Sequence, residues 1–174
     1  YGGGRDVLQE IDSKLSISGG TVNGNITVNG NLTATKVYGA VFNDYAEYFL
    51  KDEELEAGDV VIKNPQGKGY IKSNEKYSKL VVGVVSSNYA TCIGGDKGLT
   101  PEEQEKKYAP IALAGRVSVK VIGKVKPGDL LVSSELPGVA CACDTYIPGT
   151  VIGKALGEHD GDEVGMVEML VMNL

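Results

Sequence analysis

The chain of 174 residues is 42% apolar, enough for one ordinary hydrophobic core or for one core and an extended arm. Its net charge of −6 and its lack of any basic run argue against nucleic-acid binding, because neutralising phosphates requires clustered Lys and Arg. The longest apolar run, residues 80–85, is far too short to span a bilayer. The three cysteines, an odd number, favour reduced thiols over a disulfide framework. The 24 glycines and the abundance of Val and Thr predict an all-β fold.

The first 18 residues predict a short helical lead-in. Leu8, Ile11 and Leu15 are spaced three and then four residues apart, as the apolar positions of a coiled-coil turn pair are. We therefore expect a short N-terminal helix within residues 1–18, ahead of the segment in which the composition changes.

Residues 19–42 contain a phrase written twice, TVNGNI followed by TVNGNL. From position 21 to 35 the odd positions carry only Thr and Asn, whereas the even positions are apolar or Gly, and this period of two is typical of strands. The Asn-Gly pairs at 23–24 and 29–30 favour turns, so we expect a series of short strands. The large side chains of the apolar face are Val22, Ile26, Val28 and Leu32.

This apolar face has nothing within its own segment to cover it, and two-stranded pieces are marginal in water. A parallel homotrimer brings three such faces together around a shared axis. The sequence therefore predicts a trimeric β-stem over residues 19–42. The alternative is a monomer in which the short helix caps a β-solenoid.

The body, residues 43–174, contains similar passages at an offset of 70 residues. EAGDVVI at 56–62 resembles KPGDLLV at 126–132, and VVG at 81–83 resembles VIG at 151–153. We expect an internal repeat in which the glycines at 58 and 128 occupy equivalent turns that require positive φ. The fold expected for this β-rich head domain is a compact β-barrel or sandwich.

One short helix is expected as an insertion in the body. Thr100 is placed to act as the N-cap, Pro101 lies in the first turn, and Glu103 completes a capping box. Alternating or β-branched stretches at 111–121 and 164–172 predict strands on its C-terminal side.

The spacing of the candidate ligands gives little support for a metal site. Cys141 and Cys143 are one residue apart, whereas zinc sites use C-x-x-C pairs with two more ligands, and Cys92 and His159 do not complete such a set. The acidic run at 158–163 lacks the oxygen ligands of a calcium loop and is explained by an Asp-Gly hairpin turn. A single histidine argues against a Ser-His-Asp site. We expect no metal and no cofactor.

Several stretches resemble a family of phage structural proteins. TVNGNITVNGNLTATKVYGAVFNDYAEYF at 21–49 is similar to the junction between stem and head in phage tail fibres and neck appendages, and its NDYAEYF resembles the autoproteolytic, intramolecular-chaperone domain that ends some appendages. PIALAGRVSVKV, VKPGDLLVSSELPGVACA and GTVIGKALGE are similar to a C-terminal module of phage and prophage structural proteins. The resemblance covers roughly residues 19–174. It implies a trimeric, mostly β structural domain that helps a fibre to fold and assemble.

The resemblance also implies a place for self-cleavage. In the self-cleaving members a carboxylate beside the junction cuts the chain so that the chaperone can leave. Asp44 and Glu47 match the acids of the DYAEY motif, and the bond implied is Asn43–Asp44. Leu50 departs from the pattern, which has a further acid after the aromatic pair, and Asp52 is the nearest substitute.

Hydrolysis by carboxylates requires one ionised and one protonated group. Asp44 and Glu47 meet if they lie in a turn, but they face opposite ways in a straight strand. Asn43 offers a second route, in which its side-chain amide attacks its own carbonyl to form a succinimide. The alternative is that these acids are solvated or cap a turn at the boundary between stem and head. Given the departure at Leu50, we expect the chain to stay whole.

The sequence thus predicts the C-terminal part of a phage or prophage tail-fibre-like protein that acts as a trimerisation and folding module. A second interpretation is a self-cleaving endopeptidase that acts once on its own chain. A third is a receptor- or glycan-binding fibre tip in which Tyr38, Tyr45 and Tyr48 stack on sugars. The expected partners are further copies of the chain, an upstream fibre or baseplate protein and the host surface, with no nucleic acid and no membrane insertion. The resemblance implies a virion protein made in the bacterial cytoplasm.

Overall fold

The computed structural model describes residues 20–28, 30–37 and 44–172. The chain divides into two units, Tyr1–Tyr38 and Gly39–Leu174. In the first unit the described residues are exposed and form no strand within the single chain. The short N-terminal helix expected within residues 1–18 lies outside the described residues. The domain boundaries drawn from the sequence, at 18/19 and 42/43, stay predictions.

The second unit is mostly β, as the sequence predicts, with one short helix in its described part. In chain order the elements are β1 (Asp44–Leu50), β2 (Val60–Lys63), β3 (Tyr70–Lys72), β4 (Val81–Val85), β5 (Thr91–Gly94), α1 (Pro101–Lys107), β6 (Tyr108–Val121), β7 (Leu130–Ser133), β8 (Ala140–Ala142), β9 (Val151–Ala155) and β10 (Gly165–Val171).

The capping box expected for the helix is confirmed. The Thr100 side chain accepts a hydrogen bond from the Glu103 backbone N–H, and the Glu103 carboxylate accepts one from the Thr100 N–H. Pro101 begins α1, where its missing N–H costs nothing, and two lysines lie in the last turn. A seven-residue helix is too short to be stable on propensity alone, so these local contacts define where it begins and ends.

Five strands close into a barrel, here called the C-terminal ring. β6 pairs with β10, β10 with β9, β9 with β7, and β7 with β8, all antiparallel. β8 then returns to β6 through one parallel pair, Val121 and Ala140. The interior is aliphatic, with Val119, Leu131 and Met169 each fully buried. The compact barrel expected for the body is therefore present.

Strands β1 to β4 and the first half of β6 form a second ring of the same connectivity, here called the N-terminal ring. β1 pairs with the first half of β6, β6 with β4, β4 with β2, and β2 with β3. A single parallel bridge between Lys51 and Tyr70 joins β3 back to β1. Phe49 packs edge-to-face on Tyr70 inside this ring, with 4.7 Å between ring centroids. β5 lies outside it and pairs in parallel with β1.

The pairings of the two rings coincide when 70 is added to the residue numbers of β2, β3 and β4. Val61 faces Gly83 and Lys72, and Leu131 faces Gly153 and Ala142. The β2–β4 and β7–β9 ladders each have a register shift, directly after Val61 and Leu131. The bridge that closes the N-terminal ring, between positions 51 and 70, corresponds to the pair that closes the other, between 121 and 140.

The two Gly-Asp turns have matching hydrogen bonds. Gly58 has φ +84° and its N–H donates to the Val85 carbonyl, while Gly128 has φ +96° and its N–H donates to the Ala155 carbonyl. Gly83 and Gly153 also share a reason for being glycine. A Cβ at Gly83 would clash with the Ala112 carbonyl of β6, and a Cβ at Gly153 would clash with the Leu170 carbonyl of β10.

A buried ion cluster joins the two rings. Asp59, in the first Gly-Asp turn, is fully buried and accepts hydrogen bonds from Lys120 at 2.7 Å and from the Glu56 backbone N–H at 2.8 Å. It also forms an ion pair with Lys72 at 3.3 Å. Lys120 belongs to the half of β6 that lies in the C-terminal ring, and its own N–H donates to the Gly58 carbonyl. The carboxylate therefore holds β3, β6 and the turn together.

Replacing Asp59 by Ala should destabilise the fold by about 3–5 kcal/mol, because Lys72 and the Glu56 N–H lose their buried acceptor and Lys120 keeps only the exposed Glu56 carboxylate. Asp129 is the matched control, since it occupies the corresponding turn but is partly exposed and accepts only from the Lys126 N–H. Asp129→Ala should cost about 1 kcal/mol or less. Urea unfolding of both variants measures the difference, and equal costs would show that the cluster is not what stabilises the junction.

Candidate functional site

The candidate acid Asp44 begins β1 and is only 3% exposed. Its Oδ1 accepts a 2.8 Å hydrogen bond from the hydroxyl of Ser86, in the connection that follows β4. The backbone N–H of Ser86 donates to the Pro110 carbonyl of β6, which fixes the position of the hydroxyl. The other carboxyl oxygen, Oδ2, is buried and has no hydrogen-bond partner among the described residues.

This half-satisfied carboxyl is a weaker acid than usual. Burial raises the pKa of Asp44 above its ordinary value of 3.8, and the hydrogen bond from Ser86 opposes the rise only in part. A carboxyl shifted in this direction holds its proton closer to neutral pH, as a general acid must.

A polar cleft of about 100 Å³ opens beside Asp44. Its walls include Ser87, Asn88 and Ser118, together with an ion pair in which Arg116 and Glu168 approach to 3.4 Å. The cleft lies where the N-terminal ring meets the C-terminal ring, since Asp44 pairs with Gly115 in the middle of β6.

Glu47 is not brought onto the same face as Asp44. Both lie in the extended strand β1, three residues apart, so their side chains alternate to opposite faces. Asp44 shares its face with the buried Ala46, whereas Glu47 shares the face of Phe49, which packs in the core of the N-terminal ring. Asn43 lies outside the described residues. The group that does meet Asp44 is Ser86, 42 residues along the chain.

The three tyrosines expected to stack on sugars do not form one platform. Tyr48 lies edge-on to Tyr89, with 6.2 Å between centroids, and their hydroxyls are 2.9 Å apart. Burial and the hydrogen bond with Tyr89 raise the pKa of Tyr48. Tyr45 alternates to the other face of β1 and is 42% exposed, and Tyr38 lies outside the described residues. Tyr108 instead joins Tyr48, at 6.4 Å.

The three cysteines are free thiols. Burial raises the pKa of Cys92 to about 11, and burial also raises the pKa of Cys141, so neither is an activated thiolate. In residues 20–28, 30–37 and 44–172, no group of three or more His, Cys, Asp and Glu side chains is arranged to hold a metal ion. The described part of the chain also contains no helix with the length and hydropathy of a membrane span.

The stability of the protein should report the titration of Asp44. Because the folded state binds the proton more tightly, the contribution of protonated Asp44 is present below pH 3.8 and is lost as pH rises through the raised pKa. Asp44→Asn cannot ionise, so its stability relative to wild type should increase with pH across that range and then level off. Urea midpoints over a pH series measure this.

Ser86→Ala should extend the loss of stability that accompanies ionisation of Asp44 to higher pH. The substitution removes the hydrogen bond that favours the carboxylate and so raises the pKa of Asp44 further. The exposed Asp162→Asn serves as control. A stability difference between Asp44→Asn and wild type that does not vary with pH would contradict the assignment.

No family model matches the chain, and no curated protein matches it. Solved structures similar to it include two of one phage protein. The pre-mature bacteriophage phi29 gene product 12 aligns with a TM-score of 0.59 and 19% identity over 84% of this chain and 24% of that one. The C-terminal fragment of bacteriophage phi29 gene product 12 aligns with a TM-score of 0.51 and 19% identity over 74% of this chain and all of the fragment. The chain therefore spans about a quarter of the longer phage protein, and it shares the fold of that protein's C-terminal fragment.

Proposed function

We propose that the chain is a structural module of a phage or prophage tail appendage or fibre, which trimerises through its stem and helps the fibre to fold. The observation that carries the proposal is the fold shared with the C-terminal fragment of a bacteriophage protein, aligned over the whole fragment. The proposed partners are two further copies of the chain, an upstream fibre or baseplate protein and the host surface. The proposed location is the virion.

The first unit supports the trimeric part of this proposal. Val22, Ile26, Val28 and Leu32 are 42%, 62%, 50% and 75% exposed in the single chain. Their period of two places them on one face of an extended segment, and the matching faces of two further copies are the proposed cover for it. Three copies around a common axis bury the face and leave the Thr and Asn face in water.

The coincident pairings of the two rings support a second part, that the body is a tandem duplication of one five-stranded unit. A shared offset of 70 extends to strand registers, ring closure and the Gly-Asp turns. Chance similarity of turn sequences does not produce equal registers in two ladders together with an equivalent ring-closing pair. In this proposal β6 is the last strand of the first copy and the first strand of the second.

Sedimentation of the purified chain should report a trimer. Ile26→Asp should dissociate the trimer or unfold its stem, because three carboxylates would then lie near one apolar axis, which is very costly. Thr27→Asp is the matched control, since it adds the same charge on the polar face and should leave the trimer intact. A monomeric wild type, or equal effects of the two substitutions, would contradict the proposal.

Self-cleavage at Asn43–Asp44 is a second candidate function, and the buried Asp44 favours it. Its carboxyl adjoins the bond, has a raised pKa and contacts a fixed hydroxyl. Glu47 on the opposite face does not supply the second acid that hydrolysis by a carboxylate pair requires. Leu50 also replaces the acid that the phage pattern carries after its aromatic pair. The outcome we expect is therefore an intact chain.

Mass spectrometry of freshly expressed protein held at neutral pH decides between these functions. The expected mass is that of the whole chain, 18.3 kDa. Fragments 1–43 and 44–174 would overturn this expectation. Glu47→Gln and Ser86→Ala would then identify the group that acts with Asp44, since the variant lacking that group should stay whole while keeping the trimer.

A further inference from the structure

A cleft of about 300 Å³ lies at one end of the N-terminal ring and adjoins the Asp44 cleft, with which it shares Ser86 and Ser87. Its floor is apolar and includes Leu55, Val85 and Ala109. Its walls include residues of both charges and two tyrosines, namely Lys51, Glu105, Tyr89 and Tyr108. The volume is at the lower end of that typical of small-molecule sites, about 300–1,000 Å³.

The same end of the C-terminal ring is filled. The residues there that correspond to Lys51 and Leu55 are Val121 and Val125, which are 0% and 1% exposed. Val125 also exchanges two backbone hydrogen bonds with His159, which hold the connection between β9 and β10 over that end. Apolar side chains thus close this end of the C-terminal ring, whereas the same end of the N-terminal ring is open.

The opening comes with a longer connection. Between β4 and β6 the chain runs through residues 86–107 and forms β5 and α1, whereas residues 156–164 suffice between β9 and β10. The longer connection supplies Tyr89, and α1 supplies Glu105. An ammonium group, a carboxylate and two tyrosines therefore replace the aliphatic filling of the other ring.

The tyrosines are held before any ligand arrives. The Tyr89 hydroxyl is hydrogen-bonded to Tyr48 at 2.9 Å, and the Tyr108 hydroxyl donates to Asp96 at 3.0 Å. Lys107 also binds the Asp96 carboxylate, at 2.8 Å, which joins the end of α1 to the turn that follows β5. Side chains fixed in this way lose little conformational entropy on binding.

We propose that this cleft binds a neutral saccharide unit. Charges of both signs in the walls disfavour a strongly anionic or cationic ligand, since each would meet a like charge. Tyrosine rings with hydroxyl and charged groups around them match the apolar ring faces and the hydroxyl edge of a pyranose. The proposal does not depend on trimerisation or on self-cleavage.

Saturation-transfer NMR on the full chain tests this with methyl glucoside, methyl galactoside and N-acetylglucosamine as probes. At least one should bind, with a Kd of about 1 mM, a value ordinary for a single small ligand in a shallow site. Glucose 6-phosphate and glucosamine are the charged comparators and should bind more weakly than their neutral counterparts. In ¹H–¹⁵N spectra the shifted amides should be those of the cleft, among them Leu55 and Ala109, which do not line the Asp44 cleft.

Tyr89→Ala should weaken binding at least tenfold, whereas Tyr146→Ala, at an exposed tyrosine outside the cleft, should not change it. Glu105→Ala removes a wall group from an exposed helix position, and should weaken binding without affecting the fold, which keeps the test valid if Tyr89→Ala fails to fold. Absence of binding by all three neutral probes would overturn the proposal. So would tighter binding of either charged comparator, or affinity unaffected by Glu105→Ala.

Discussion

The structure of the body depends on one strand that serves two rings. The first half of β6 pairs with β1 and β4, and its second half pairs with β10 and β8. A slip of one residue would turn Val117, Val119 and Val121 out of the C-terminal ring and expose them all at once. A register shift and Gly115, at φ +104°, lie at the middle of the strand, where it passes from one ring to the other. The registers of both rings are therefore fixed together.

The same turn sequence acquires different roles in the two rings. In both Gly-Asp turns the aspartate carboxylate accepts a hydrogen bond from the backbone N–H three residues earlier. This contact depends only on the turn itself. Asp59 is then covered by β3 and β6 and is buried with two lysine partners, while Asp129 stays partly exposed and has no lysine partner among the described residues. Lys120 is the residue that makes the difference, because it reaches from β6 of one ring into the turn of the other.

Local features of this fold are readable from the sequence, and long-range ones are not. The cap of α1 follows from residues within four positions of each other, and the Gly-Asp turns are visible because their chemistry lies in consecutive residues. The contact between Asp44 and Ser86 depends on two ladders that both pass through β6, so no spacing in the sequence announces it. The open end of the N-terminal ring was missed for the same reason, since Tyr89, Glu105 and Lys51 converge only after the ring has formed.

The sharing of β6 has a consequence for how the chain folds during synthesis. Residues 44–115 contain every strand of the N-terminal ring, whereas the C-terminal ring needs the chain as far as residue 171. Translation at about 5–20 residues per second leaves roughly 3–10 s between completion of β6 and completion of β10. During that interval a finished N-terminal ring holds the second half of β6 extended. The later strands then add to a prepared edge, and the slow search for non-local partners becomes a sequence of additions in chain order.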